Sequence, residues 1–311
     1  MYHRVLSQEM RAKTFSHDGI IVDLKTFEKQ IRYLKDNFNV ITLEEFTLRL
    51  QNGNSFDKYT CLITFDDGWK DNYVFAYPVL QKYELPATIF LPVNYINKNK
   101  QFWQEELTRV LINIYHKVKE HKYLQSKYHK LLKNYDLQDI ICLPESKLRA
   151  SIAEKVSGKK QITFRQIEQM VAELSENTGF LKKVREDYDT FLSWDDISQM
   201  KSGGITFGSH GMSHKIMTKV SLSEAEYEIM ESKRDIENRL NREISSISYP
   251  NGDYKREIIE LVRTHGYQTA FGTEKGFFGM SDSPYSIKRI NIHNDVTSNI
   301  PMFLSTILGV F

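Results

Sequence analysis

Two adjacent carboxylates, Asp66 and Asp67, stand at the end of an apolar, β-branched run, TCLITFD (60–66), and Gly68 follows at once. Taking a carboxylate out of water without compensation is expensive. Successive residues of an extended segment point to opposite sides, so one carboxylate can hold a metal while the other faces substrate or water. A solvated loop with an N-capping aspartate is the plainer alternative. Further along, His210 and His214 lie four residues apart in SHGMSH. On a helix that spacing puts both imidazoles on one face. Gly208 and Gly211 argue against a continuous helix, but a strand end running into a tight turn also brings the rings together. Two histidines and a carboxylate make an open metal set with room for water; two polar loop histidines are the alternative.

The elements around these residues alternate. Leu24, Phe27, Ile31 and Leu34 share a helical face. Thr42 with Glu45 opens a second helix that Gly53 can close. NYVFAYPVLQKY (72–83) reads as a helix kinked near Pro78, and ATIFLP (87–92) as a buried strand. Ser193 with Asp196 starts a short helix ending at Gly203-Gly204, and GITFGSH (204–210) is a strand entering a turn. Ser223 with Glu226 opens a helix to about Leu240. SISYP (246–250), QTAFG (268–272) and SIKRINIH (286–293) read as strands, with a helix from about Lys255 to His265 before Gly266. Such strand-then-helix repetition predicts a parallel sheet, open or closed into a barrel. Ligand sites in these folds lie at the C-terminal strand ends, where Asp66, Asp67, His210 and Tyr249-Pro250-Asn251-Gly252 fall.

From about residue 99 to 190 the rhythm changes to Lys-, Tyr- and Leu-rich helical spacing, read as an insertion into the β/α scaffold. Between Lys98 and Lys160 there are 14 Lys and Arg against 7 Asp and Glu. That excess suits an anionic membrane surface or a lipid-linked anionic glycan, or simply a solvated face. The formal net charge of the whole chain is only +2, which gives no ground for a nucleic-acid partner. Cys61 and Cys142 match no metal-knuckle spacing. The N-terminus MYHRVLSQEM shows no basic region followed by an apolar core, so a signal peptide is not expected and a cytoplasmic location is. A missing native leader would make it secreted or membrane-associated. The C-terminal FLSTILGVF is too short to span a bilayer.

TFDDGWKDNY (64–73), SHGMSHK (209–215) and SYPNGDY (248–254), in this order, resemble the polysaccharide deacetylase family, also called the NodB-homology or carbohydrate esterase family 4 enzymes. Lesser similarities lie in YPVLQKYELPATIFL (77–91) and LSWDDISQMKSGGITFGSH (192–210). The resemblance covers about residues 1–98 and 190–293. It implies one NodB-like domain over 1–311, an α/β fold of distorted (β/α)7-barrel type, with the 99–190 helical insertion within it. It also implies metal-dependent hydrolysis of an N-acetylated sugar in a polysaccharide, glycolipid or lipid-linked precursor, with release of acetate.

Residue by residue, the resemblance makes Asp66 the general base and Asp67, His210 and His214 the ligands of a divalent metal. Zn²⁺ is favoured, with Fe²⁺, Co²⁺ and Ni²⁺ open. Tyr249, Pro250 and Asn251 match the groove-lining motif, with the Asn251 backbone N–H facing the oxyanion. The arginine that often precedes that motif is absent, since Ser248 and Tyr249 stand there. The family's late acid histidine has no plain counterpart. MYHRV is similar to the YHxV segment of the circularly permuted branch, which includes poly-N-acetylglucosamine deacetylases, and this makes His3 the acid. His293 is its competitor. Arg289 resembles an arginine of that branch, and Trp194 could stack on sugar; both join the substrate-binding set. A binding module without catalysis, or a hydrolase of a non-sugar amide, are the other functions such a chain could have.

Overall fold

The computed structural model describes residues 1–179 and 189–309. The chain divides into two compact units. One comprises Met1–Lys13, Asp18–Lys100 and Glu186–Phe311, the other Thr14–His17 and Gln101–Arg185.

The first unit is built on parallel strands. In chain order these are β1 (Arg4–Leu6), β2 (Ile21–Asp23), β3 (Asn39–Val40), β4 (Thr60–Cys61), β5 (Thr64–Phe65), β6 (Ala87–Leu91), β7 (Ile205–Ser209), β8 (Ser246–Ser248) and β9 (Thr269–Phe271). β5 to β9 form one five-stranded sheet in sequence order, while β1 pairs with β2 and β3 with β4. Two further links extend the five-stranded sheet. Tyr2 bridges Phe65 in parallel, through Tyr2 N–H to Thr64 O and Asp66 N–H to Tyr2 O. At the other edge Ile287 bridges Phe271, and the same segment returns to the start when Ile292 N–H donates to Met1 O. The chain around β1, β5 to β9 and residues 287–292 thus closes on itself as a distorted parallel barrel of the (β/α)7 type, an α/β fold.

Parallel strands are covered on both faces and so read as continuous apolar runs; all five residues of β6 are buried. At Gly208 in β7 a Cβ would come within 2.6 Å of the Phe90 ring and 3.0 Å of Ser246 O, so only glycine fits there. The helix Leu24–Asn37 is N-capped by Asp23, whose side chain accepts from the N–H of Lys25 and Thr26, and buries Phe27, Ile31 and Leu34. Phe27 meets Tyr2 edge-on at 5.2 Å and Phe65 at 6.0 Å. It therefore fixes the junction of β1 and β5, from which His3 and Asp66 project.

Several local expectations shift. TCLITFD is not one strand: its first half pairs with β3 and its second with β6. The segment 72–83 begins as a π-turn over Asn72–Ala76 and becomes α-helical at Tyr77, with Pro78 in the first turn, where its missing N–H is harmless. Of two overlapping Ser-x-x-Glu patterns, the chain uses the first: Ser221 accepts from Glu224 N–H and opens the helix Leu222–Leu240. SIKRINIH makes no regular strand, because it bridges each neighbour at isolated points.

The second unit packs the helices Trp103–Glu120, Gln125–Lys133, Glu145–Gly158 and Phe164–Thr178 around Leu107, Leu111, Ile114, Leu132, Ile152 and Leu174. Sequence spacing missed that Thr14–His17 belongs with it. Ser16 Oγ donates to Glu105 Oε1 at 3.0 Å, and Arg149 donates to Thr14 O at 2.9 Å. Part of the stretch read as helical, 180–188, lies outside the described residues.

Phe27→Ala should remove the packing that joins β1 to β5 and destabilise the first unit by ~3–5 kcal/mol. Chemical denaturation followed by circular dichroism would show a lowered midpoint; an unchanged midpoint would mean that this contact is dispensable.

Candidate active site

Asp66 and Asp67 leave β5 in different directions, but not by strand alternation. Asp67 has a φ of 78° and Gly68 a φ of 62°, so the chain turns through two left-handed residues. A Cβ on Gly68 would also press on Leu91 at 3.0 Å and Ile96 at 3.2 Å.

Asp66 is 2% exposed. Its Oδ1 accepts from Arg289 Nη1 at 2.8 Å, and its Oδ2 from Arg289 Nη2 at 2.6 Å and Ser248 Oγ at 3.1 Å. Arg289 is itself buried, with Nε donating to Gly272 O at 2.7 Å. Burial alone would push the Asp66 carboxyl up; the Arg289 guanidinium, helped by His210, outweighs it and holds Asp66 well below the usual carboxylate range. The result is a desolvated, fully ionised carboxylate.

Asp67 is 6% exposed. Its Oδ1 lies 3.5 Å from His210 Nε2 and 3.2 Å from His214 Nε2. Burial opposes its ionisation, but the two imidazoles overcome this and hold it well below its ordinary value. His210 Nδ1 lies 2.7 Å from Ser248 O. A carbonyl only accepts, so Nδ1 carries the proton and Nε2 is left to face Asp67, the arrangement of a metal-ligating histidine. One ligand atom each from Asp67, His210 and His214 all lie within 4.8 Å of one another. Two imidazole nitrogens and one carboxylate oxygen, with one histidine oriented through its far nitrogen, fit a divalent ion.

SHGMSH is a strand end and a turn rather than a helix. Gly211 and His214 have φ of 75° and 53°. The helix Leu222–Leu240 pins this turn from below: Glu228 Oε2 accepts from Ser213 N–H at 2.6 Å, and Ser232 Oγ meets Ser209 Oγ at 2.7 Å. Burial pushes the Glu228 carboxyl up, partly offset by Ser213 N–H. Sequence reading passed over Glu228; the available signal was an acidic residue on the buried face with Ala225, Ile229 and Ser232.

His3 follows Tyr2 and so enters beside β5. It lies in the field of Asp67, Asp66, Arg289 and His210. Burial, opposed by Asp67 and Asp66, leaves its imidazole lowered to about 4. Its carbonyl accepts from Asn72 Nδ2 at 2.8 Å, and its Nδ1 is buried with no hydrogen-bond partner among the described residues. His293 instead precedes the short helix Asn294–Thr297, and its Nδ1 lies 3.6 Å from Asp295.

Three residues expected to bind substrate are engaged elsewhere. Tyr249 is fully buried, with its hydroxyl donating to Tyr285 O at 3.1 Å. Arg289 is committed to Asp66, and supplies beside Ser248 the guanidinium missing before the proline motif. Trp194 lies under the Arg239 guanidinium at 4.6 Å. Pro250 is buried, and Asn251 and Gly252 turn through φ of 62° and 78°.

Comparison with known proteins agrees with this architecture. The sequence model of the polysaccharide deacetylase family matches residues 53–190 and 130–270, and the chain belongs to that family. YxkH of Bacillus subtilis (strain 168), named as a polysaccharide deacetylase, is 22% identical over 293 residues, spanning 94% of this chain and 70% of that protein. The poly-beta-1,6-N-acetyl-D-glucosamine N-deacetylase of Staphylococcus aureus (strain MSSA476) is 37% identical over 78 residues, 25% of this chain and 27% of that one. Among solved structures, the Streptococcus pyogenes deacetylase PplD superposes with a TM-score of 0.63 at 19% identity, covering 98% of this chain and 95% of its own. IcaB from Ammonifex degensii gives 0.59 at 16%, covering 96% and 91%. At these identities the two structures speak for the fold.

Arg289→Met should leave Asp66 buried without its counter-charge, so the carboxyl pKa rises and a larger fraction is protonated at any given mildly acid pH. The acid limb of a kcat/KM–pH profile should move to higher pH, and the protein should lose ~3–5 kcal/mol of stability. An unmoved limb in the folded variant would mean that Arg289 does not set the Asp66 charge.

Proposed function

We propose that this protein is a metal-dependent carbohydrate N-deacetylase that hydrolyses the acetamido group of an N-acetylated sugar to acetate and a free amine. The observation that carries this reading is the convergence of Asp67, His210 and His214 beside a carboxylate held ionised by Arg289. Family membership and the matching segment of the poly-beta-1,6-N-acetyl-D-glucosamine deacetylase support a glycan substrate, whether polysaccharide, glycolipid or lipid-linked precursor.

A divalent metal held by Asp67, His210 and His214, for which Zn²⁺ is the first choice from the donor types, supplies Lewis-acid polarisation of the amide and lowers the pKa of water. Asp66 takes the proton of the attacking water at a carboxylate oxygen. Its bidentate clamp leaves that carboxylate no freedom to rotate, so the water is oriented as well as deprotonated. The turn through Asn251 and Gly252 brings backbone to the strand ends, where the Asn251 N–H is assigned to the developing oxyanion. His3 delivers a proton to the departing amine, which is otherwise too poor a leaving group. Burial favours the neutral form of His3, so the proton it delivers has to be supplied to it within the site, and the proton that Asp66 takes from the attacking water is the one the reaction makes available. The place of this ionised carboxylate beside a set of side chains that can hold a metal supports catalysis over the module reading.

Acetate release should be assayed on poly-β-1,6-linked N-acetylglucosamine, other N-acetylated glycans and lipid-linked sugars. Stripping the metal should abolish release and Zn²⁺ should restore it. Asp66→Asn should lower kcat by about 10²–10⁴-fold, and His3→Ala by a similar factor, with His293→Ala near normal. Loss of activity in His293→Ala but not in His3→Ala would reverse the acid assignment. Full activity of metal-stripped protein would end the metal-dependent reading.

A further inference from the structure

The aromatic residue just after the aspartate pair is in the wrong place for an ordinary core tryptophan. Trp69 is completely buried, yet its indole Nε1–H donates to Asp67 Oδ2 at 3.2 Å. The other oxygen of the same carboxylate, Oδ1, is the one that meets His210 and His214. The two oxygens of Asp67 are thus divided: one is tied to the indole and the other is presented to the imidazoles.

Trp69 is held in turn. One face stacks on Phe191, with ring centroids 4.6 Å apart and planes at 23°. The Arg4 guanidinium lies 4.1 Å from the ring centroid. Arg4 is fully buried, and its Nε donates to Asp71 Oδ2 at 2.8 Å and its Nη1 to Asp189 Oδ1 at 2.6 Å. Asp71 also accepts the Val5 N–H at 2.9 Å. A buried ion pair is weak evidence for stability, since desolvation consumes most of the attraction; fixing a register is its better-attested use. Here the register is that of a column running from Asp71 and Asp189 through Arg4 and Trp69 to Asp67. Arg4 also directly follows His3, so the same ion cluster locks β1, and with it the proposed acid, against the turn that carries Asp67.

We propose that Trp69 is a positioning residue for the metal site. Its indole N–H restrains Asp67 so that a single carboxylate oxygen is offered to the ion, and Arg4, anchored by Asp71 and Asp189, holds the indole in place. Offering one oxygen instead of two keeps a coordination position open for water or substrate. The inference rests on Asp67, His210 and His214 being ligands, and it adds what sets their geometry.

The test is metal binding, read without turnover. Trp69→Phe keeps an aromatic ring between Phe191 and Arg4 but loses the N–H. Replacing Trp69 with β-(3-benzothienyl)alanine keeps the bicyclic shape and also loses it, which covers the case in which the phenylalanine variant does not fold. Co²⁺ titration should show the dissociation constant raised about 10- to 100-fold in either variant, the range for loss of a partner that orients a ligand. The visible Co²⁺ absorption should also weaken, because a carboxylate free to use both oxygens raises the coordination number. Phe191→Leu, which disturbs the stack and leaves the N–H, should bind Co²⁺ within about threefold of the unaltered protein, well short of that range. Unaltered affinity and spectrum in the donor-less variants would overturn the proposal, as would an equal effect from Phe191→Leu. Failure of the unaltered protein to bind Co²⁺, Zn²⁺, Fe²⁺ or Ni²⁺ would instead overturn the ligand assignment beneath it.

Discussion

Two neighbouring carboxylates are buried side by side at the end of β5, and neither can be charged there without a dedicated partner. Much of the first unit is arranged around that constraint. Asp66 is met by a bidentate guanidinium from Arg289, 223 residues away in sequence. Asp67 is met by two imidazoles on the turn after β7 and by an indole two residues on. Neither set of partners is local to both carboxylates, and the barrel has to close for the first set to arrive. Residues 287–292 reach Asp66 because they bridge β9 on one side and the start of the chain on the other.

The two solutions give the carboxylates different chemistry. Asp66 is neutralised by a cation that no proton transfer can remove, so it stays ionised and fixed in direction. Asp67 is neutralised by two imidazoles, groups of a type that can also hold a metal ion, so an ion could take over the role the imidazoles now play. Three turns make room for this. Asp67-Gly68, Gly211 with His214, and Asn251-Gly252 all pass through positive φ. Such conformations cost energy for residues other than glycine and persist only where the surroundings over-determine them. At Gly252 a Cβ would stand 2.6 Å from the Thr273 backbone nitrogen; around Gly211 and His214 the surroundings include the contacts of Glu228 with Ser213 and of Ser232 with Ser209. The site is therefore rigid at the strand ends and borrows that rigidity from the elements beneath.

The basic helical segment stands apart from this logic. Among the described residues its helices have their own apolar core, and a short piece of chain near the N-terminus, Thr14–His17, is drawn into it by Ser16 and Thr14. Sequence spacing could show that the helices were amphipathic. It could not show a four-residue segment with no periodicity of its own joining them.

What the sequence determined by itself was set by local pattern. The β/α rhythm, the buried strand at 87–91, the helix faces of Leu24–Asn37 and the capping at Ser193 follow from periodicity and side-chain hydrogen bonding over a few residues. Asp66, Asp67, His210 and His214 were singled out because their motifs stand in order and fall at strand ends. Other features were decided only by the tertiary structure. Arg289 was read as a substrate contact because a lone arginine near a strand carries no mark of its partner; long-range closure made it the counter-ion of Asp66. Tyr249 was read as groove-lining, but packing turned it inward. Glu228, Trp69 and Arg4 drew no reading from the sequence, since burial and pairing are properties of the assembled fold and not of spacing. Even Asp66 and Asp67, expected to diverge by strand alternation, instead lead into a turn with positive φ at Asp67 and Gly68.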